Sequence, residues 1–338
     1  MPPHTSRPVV TVLGAGSWGT ALAMLLGRNG NEVRLWDRDR DHIQKLAADK
    51  SNQRHLPGID FPEGLSPVVE LDPALESSDL VLVAVPSTGF RSVLQRIRSA
   101  IGSSFNLVWA SKGLEPGSAK FLHQVVDEEL PGHGAIAVLS GPSFAREVAL
   151  GLPTAVTVAS ENSEYAHSVV KLFHCPRFRA YTSDDVTGVE LGGSIKNVLA
   201  IAAGISDGLG YGANARAALI TRGLAEIMRL GIKLGGRQET FMGLAGVGDL
   251  VLTCTDDQSR NRRLGLAIGR GTPLEQAVAD IGQAIEGLHT AKELAALADK
   301  QQVEMPITQQ VKRVLYEGES ASAAVDALLA REPKAEAL

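Results

Sequence analysis

Three glycines at fixed spacing, Gly14-x-Gly16-x-x-Gly19, separate a run of β-branched and aliphatic residues, Val9 to Leu13, from a helical stretch, Thr20 to Arg28. Gly30 closes that helix, and Glu32 to Trp36 reads as a second strand. A strand, a glycine turn, a helix and a second strand in this order form a unit that constrains the chain strongly. Gly14 permits the tight turn, Gly16 lets backbone approach a pyrophosphate, and Gly19 lets the helix pack closely on the strand. The first turn of the helix offers unpaired N–H groups and a partial positive charge to phosphates. Without that context the same glycines would make only a flexible loop; with it they point to a dinucleotide.

The residues after the second strand bear on which dinucleotide. Asp37 lies 21 positions after Gly16, near the usual place of an acid that binds a ribose 2′-hydroxyl, which favours NAD. Arg38 follows, and an arginine there can hold a 2′-phosphate, which favours NADP. Asp37 to Asp41 alternate in sign, so a solvated charged turn is a third reading. The balance tips slightly to NADP.

Further apolar runs, Leu80 to Val85, Leu107 to Ala110 and Ala135 to Leu139, alternate with amphipathic stretches, and Thr154 to Ala159 extends the series. Continuous apolar strands separated by helices predict a mostly parallel, doubly wound sheet covered on both faces, an α/β Rossmann-like domain. The texture changes near residues 181–184. From Val189 onward the strand signals vanish, and helical patterns follow over 189–205, 216–234, 260–268, 274–279, 290–299 and 307–316. Two domains are expected in 338 residues: residues 1–188 as the dinucleotide-binding domain, and residues 189–338 as an all-helical domain that binds substrate and carries the catalytic groups. Residues 331–338 read as a frayed end.

Composition limits the partners. The net charge of −5 argues against nucleic acid, so an anionic ligand must meet locally placed cations. No stretch reaches the ~18 consecutive apolar residues that a membrane span needs, and residues 1–8 lack the apolar core of a signal peptide. Two distant cysteines, Cys175 and Cys254, fit a reduced cytoplasmic compartment and no metal site.

The helical half supplies groups for proton transfer. Apart from Glu190, Lys196 is the ionisable side chain between Val189 and Ser206. Burial there lowers a lysine pKa toward neutrality and makes it a base; the alternative is a lysine whose stem covers apolar surface. Asp249 sits in the glycine-rich run 243–253 and needs a partner if buried, with Lys196 a fitting one; a helix N-cap is the other reading. Ser259 reads as the N-cap of a helix opening Arg260-Asn261-Arg262-Arg263, where helix dipole and guanidinium together suit a phosphate, unless this is a solvated basic turn. Lys112 and the run Gly141-Pro142-Ser143-Phe144-Ala145 each follow a strand end, the place of ligands in such sheets.

Taken together, these segments resemble the bacterial NAD(P)-dependent glycerol-3-phosphate dehydrogenase family from Val10 to about Leu315. The resemblance rests on residues 14–22, 111–115, 140–145, 192–197, 214–223 and 243–250. It implies reversible hydride transfer between NAD(P)H and dihydroxyacetone phosphate, giving glycerol 3-phosphate for phospholipid synthesis. It implies Lys196 as the general acid and base, Asp249 as its acidic partner, and Lys112 as a lysine that touches both ligands. It implies Gly141, Ser143, Ser259, Arg260 and Asn261 around the substrate, and Ser17, Trp18, Arg38, Ala145, Arg260 and Glu286 around the cofactor. It also implies a cytoplasmic homodimer. The chain departs from the family at Asp37, where members usually carry a small neutral residue. Two rivals share the two-domain plan: a reductase for another small polar substrate such as a hydroxy acid, and a non-catalytic dinucleotide sensor.

Overall fold

A computed structural model of the chain describes residues 7–332. The expectations placed on the first six residues and on residues 333–338 lie outside it. The chain forms two compact units. One comprises residues up to Ser111 together with His123–Val186; the other comprises Lys112–Leu122 and the chain from Thr187 onward.

The first unit is built on an eight-stranded sheet: β1 (Val9–Leu13), β2 (Glu32–Trp36), β3 (Leu65–Pro67), β4 (Leu80–Val83), β5 (Leu107–Trp109), β6 (Ile136–Ser140), β7 (Thr154–Ala159) and β8 (Phe178–Ser183), in the order β3-β2-β1-β4-β5-β6-β7-β8. Neighbours run parallel except β6 and β7. The connection between those two holds one five-residue helix, Ala145–Ala149, too little for a crossover, so the chain returns antiparallel. Apart from Thr11 in β1, the central strands are apolar, as suits buried parallel strands. The chain winds outward from β1 through β2 and β3, then resumes at β4 on the other side of β1. Reversal at β1 and β4 with right-handed crossovers places helices on opposite faces and opens a crevice at the strands' carboxyl ends. β1 runs straight into the glycine loop at that end.

The mostly parallel α/β sheet and the helical second half agree with the sequence reading. Two strands carry too little signal to be read from sequence. β3 is three residues ending in a proline, and β8 exposes alternate residues. Helix Ala321–Leu329, rich in alanine, was also not anticipated. The division of the chain differs from the expected 1–188 and 189–338 in residues 187–188 and, more importantly, in 112–122. Leu114 and Phe121 are buried in the apolar core of the helical unit, which draws that segment out of the sheet domain. Lys112 therefore belongs to the helical unit and is not a loop residue of the first domain.

The longest helix, Val186–Gly208, is apolar enough by composition to cross a membrane, but its most apolar stretch is wholly buried inside the protein. It is the central core helix of the helical unit, carrying Leu191, Ile195, Val198 and Leu199 into the core.

Candidate active site

The glycine loop has the geometry its spacing predicts. Gly14 has φ +112°, a conformation that L side chains rarely adopt, and a Cβ there would lie 2.7 Å from the Ala84 carbonyl oxygen. A Cβ on Gly19 would lie 1.9 Å from the Gly14 carbonyl oxygen, so only glycine lets helix Ser17–Arg28 approach the turn. A Cβ on Gly16 meets nothing within 4 Å. Steric closeness inside the protein therefore explains Gly14 and Gly19 but not Gly16, whose bareness keeps one side of the loop open. That open cradle, at the start of a twelve-residue helix with no acidic residue in its first turn, fits a dinucleotide pyrophosphate. Trp18, in the same first turn, has a buried indole N–H without a hydrogen-bond partner among the described residues.

Asp37 is engaged otherwise than its spacing suggests. Its carboxylate accepts the Ala15 N–H at 2.8 Å and the Asp39 N–H at 3.1 Å. It braces the glycine loop from the end of β2, while Arg38 beside it is exposed. Gly141, with φ +148°, would bring a Cβ to 2.9 Å from the Val156 Cα. The Ser143 hydroxyl donates to the Gly141 carbonyl at 3.0 Å, and Ala145 opens the short helix that follows.

The helical unit gathers Lys112, Lys196 and Asp249. The Lys112 ammonium lies 2.8 Å from one Asp249 oxygen, and the Lys196 amine donates to the other. Asp249 is fully buried, and Lys196 is 7 % exposed. The backbone explains the meeting. At Gly192 helix Val186–Gly208 comes so close to the Ala245 carbonyl oxygen that a Cβ would sit 2.3 Å from it. Lys196 lies one turn further on the same face of its helix, and Asp249 lies four residues after Ala245. A π-helical turn, Leu244–Gly248, joins directly to helix Asp249–Thr255, and such turns cluster at functional positions. Lys112 is fixed through its neighbour, since the Gly113 N–H donates to the Ser194 hydroxyl at 3.1 Å.

Burial pushes the Lys196 ammonium down to about 8. The Asp249 carboxylate opposes the shift and the Lys112 charge adds to it. Two lysines share one carboxylate, so the cluster carries surplus positive charge in a site sheltered from water. Such a site stabilises an oxyanion and keeps one amine ready to exchange a proton near neutral pH. The nearby Cys254 thiol, pushed up to about 12 by burial, stays protonated and unreactive.

Ser259 caps helix Arg260–Gly269, its hydroxyl accepting the Arg262 N–H at 3.2 Å. The Arg260 side chain, at the first position of that helix, makes no hydrogen bond or ion pair among the described residues. Arg262 is committed by contrast, to Asp207, Asp257 and the Cys254 carbonyl. The Asn261 amide is partly committed: it donates to the Asn197 side chain at 3.0 Å and accepts the Gly287 N–H at 2.9 Å. Asn197 in turn donates to the Glu286 carboxylate at 3.0 Å. The structure thus joins Asn261 and Glu286 through Asn197, which sequence reasoning passed over although it adjoins Lys196. It also passed over Thr253, whose hydroxyl donates to the Asp249 carbonyl at 2.6 Å. The available signal was a threonine four residues after Asp249, since a helical Thr hydroxyl commonly bonds the carbonyl four residues earlier. Among the described residues no cluster of metal ligands occurs.

Comparison with known proteins decides the family. Residues 9–166 match the model of the NAD-dependent glycerol-3-phosphate dehydrogenase N-terminus, and residues 185–326 match that of its C-terminus. The chain belongs to the glycerol-3-phosphate dehydrogenase family. A relative from Thioalkalivibrio sulfidiphilus, glycerol-3-phosphate dehydrogenase [NAD(P)+], is 60 % identical over 98 % of this chain and 99 % of its own length. One of the same description from Pseudoalteromonas translucida is 53 % identical, again over 98 % and 99 %. The crystal structure of glycerol-3-phosphate dehydrogenase from Coxiella burnetii superposes with a TM-score of 0.93 at 51 % identity, covering 96 % of this chain and 99 % of that one. The family resemblance read from the motifs is therefore borne out.

Proposed function

We propose that the chain is an NAD(P)-dependent glycerol-3-phosphate dehydrogenase that interconverts dihydroxyacetone phosphate and glycerol 3-phosphate. The observation that carries this reading is the buried Lys196–Asp249–Lys112 cluster, in a chain 60 % identical along its length to a relative of that description. A bound nicotinamide dinucleotide supplies or accepts the hydride. The glycine loop holds its pyrophosphate, and Ser17, Trp18, Arg38 and Ala145 surround it. The exposed Arg38, with Asp37 occupied by loop backbone, favours NADP.

The unit around the sheet holds the cofactor, and the helical unit handles the substrate. Arg260 and the N-terminus of its helix receive the substrate phosphate, with Ser259 and Asn261 beside it. Anchoring a remote phosphate converts binding energy into orientation at the reacting carbon. In reduction, ammonium Lys196 gives a proton to the ketone oxygen, Lys112 steadies the charge developing there, and Asp249 orients both amines. In oxidation, neutral Lys196 takes the hydroxyl proton. A cytoplasmic homodimer, implied by the family resemblance, completes the reading; sedimentation velocity tests the dimer.

The deciding experiment follows nicotinamide absorbance with dihydroxyacetone phosphate and, in parallel, NADH and NADPH. Turnover that requires the phosphate supports the reading. Equal turnover on an unphosphorylated hydroxyketone or on a 2-keto acid overturns it. Arg260→Ala should raise the KM for dihydroxyacetone phosphate by about 10²-fold, the scale of one charge-assisted contact, and an unchanged KM removes Arg260 from phosphate binding.

A further inference from the structure

Asn52 lies outside any helix or strand, yet its side chain is fully buried against the glycine loop. Its amide donates to the Ala15 carbonyl oxygen at 2.9 Å and to the Thr20 hydroxyl at 2.9 Å. Its own oxygen accepts the His55 N–H at 3.2 Å. Both donors are spent, one on the loop between the glycines and one on the fully buried Thr20 in the helix that follows. A buried primary amide costs stability unless each polar atom is paired, and here the pairs converge on the loop.

The consequence lies in peptide geometry. In a trans peptide the C=O and N–H point in opposite directions, and no cis peptide occurs among the described residues. Holding the Ala15 carbonyl from one side therefore turns the Gly16 N–H to the other, away from Asn52. The two preceding peptides are fixed as well, through their N–H groups. The Ala15 N–H is held by Asp37 at 2.8 Å, and the Gly14 N–H by the Trp36 carbonyl at 2.8 Å. His42 Nε2 stands 3.3 Å from the Ala15 oxygen as a weaker second contact.

We propose that Asn52 is a positioning residue for the cofactor: by clamping the Ala15 carbonyl it preorganises the Gly16 N–H to meet a dinucleotide pyrophosphate. The clamp touches backbone common to NADH and NADPH and does not read the ribose. Preorganised donors bind more tightly because the ordering cost is met on folding rather than on binding. The inference rests on the glycine loop as the dinucleotide site.

The test is Asn52→Leu, which keeps the approximate volume and removes both donors. NADH and NADPH affinities are measured on the purified enzyme by fluorescence titration. Hydrogen exchange of residues 14–18 is followed without cofactor, and the KM for dihydroxyacetone phosphate at saturating cofactor. Both dissociation constants should rise about tenfold, the equivalent of one hydrogen bond, with their ratio unchanged. Loop exchange should quicken, while the substrate KM stays at its wild-type value. If that variant does not fold, Asn52→Asp keeps the oxygen that accepts from His55 but loses the donor, and the same pattern is expected. A folded variant with unchanged affinities and loop exchange overturns the clamp. A selective loss of one cofactor overturns it in favour of ribose recognition. Wild-type enzyme that binds neither cofactor overturns the dinucleotide reading itself.

Discussion

Lys196 shows how burial and partners set the use of one side chain. Desolvation disfavours its charge, Asp249 restores part of it, and Lys112 withdraws some again, so the amine is held at about 8. In the proposed mechanism reduction uses the ammonium form as proton donor, and oxidation uses the neutral amine as acceptor. The reduction rate should therefore fall as pH rises through about 8, and the oxidation rate should rise over the same interval. A pH profile of kcat/KM in both directions checks this, and parallel limbs in the two directions contradict the assignment. Lys196→Ala should lower turnover at least about 10²-fold, the usual scale of lost acid–base catalysis, with NADH affinity unchanged. Near-wild-type turnover in that variant removes Lys196 from the chemistry. Asp249→Asn takes away the charge that raises the lysine, so the alkaline limb of reduction should move to lower pH.

At the scale of elements, the cluster exists because two segments touch through glycine. Gly192 lets the Val186–Gly208 helix approach the Ala245 carbonyl, and Gly246 packs against the Phe241 backbone, where a Cβ would lie 2.0 Å from a carbonyl oxygen. Both contacts are against backbone, which cannot rotate away. Gly192→Ala should therefore push the helix off the π-helical turn. The expected cost is about 1–3 kcal/mol of stability, as for overpacking elsewhere. Turnover should fall because the Lys196–Asp249 contact opens. Thermal melting and kcat measured together test this: an alanine variant with wild-type values of both shows that the approach is dispensable. The loop 112–122 belongs to the same scale. Gly113 and Gly117 tie it to Ser194 and Glu293 through backbone N–H groups, which holds Lys112 against Asp249.

At the scale of the whole molecule, each unit has its own apolar core, one around the sheet and one around the central helix. A ligand that binds one folded unit stabilises that unit by mass action. NADH at about 100 times its dissociation constant should add about 2.7 kcal/mol to the opening of the sheet unit. Amide hydrogen exchange with and without NADH measures this. Slowing in β1, β2 and β4 that exceeds the slowing in helix Pro306–Tyr316 is expected; uniform slowing of both contradicts a cofactor held by the first unit. The net charge of −5 gives no general attraction for an anionic substrate, so the proposed phosphate and ketone sites rely on the local placement of Arg260, Lys196 and Lys112.

The amino-acid order by itself determined the local chemistry. Glycine spacing, apolar runs and the change of period near residue 188 marked the sheet, the loop and the helical half, because hydrophobic periodicity and positive-φ turns are encoded within a few neighbouring residues. It also marked Lys196 and Asp249 as polar groups in apolar surroundings. Only the tertiary structure decided the long-range facts. It placed Lys112 in the helical unit, gave the Asp37 carboxylate to the Ala15 backbone, and buried Asn52 against the glycine loop. It also tied Asn197 to Asn261 and Glu286. Each is a contact between residues far apart in the chain, and such contacts are set by how elements pack, which no short window of sequence contains.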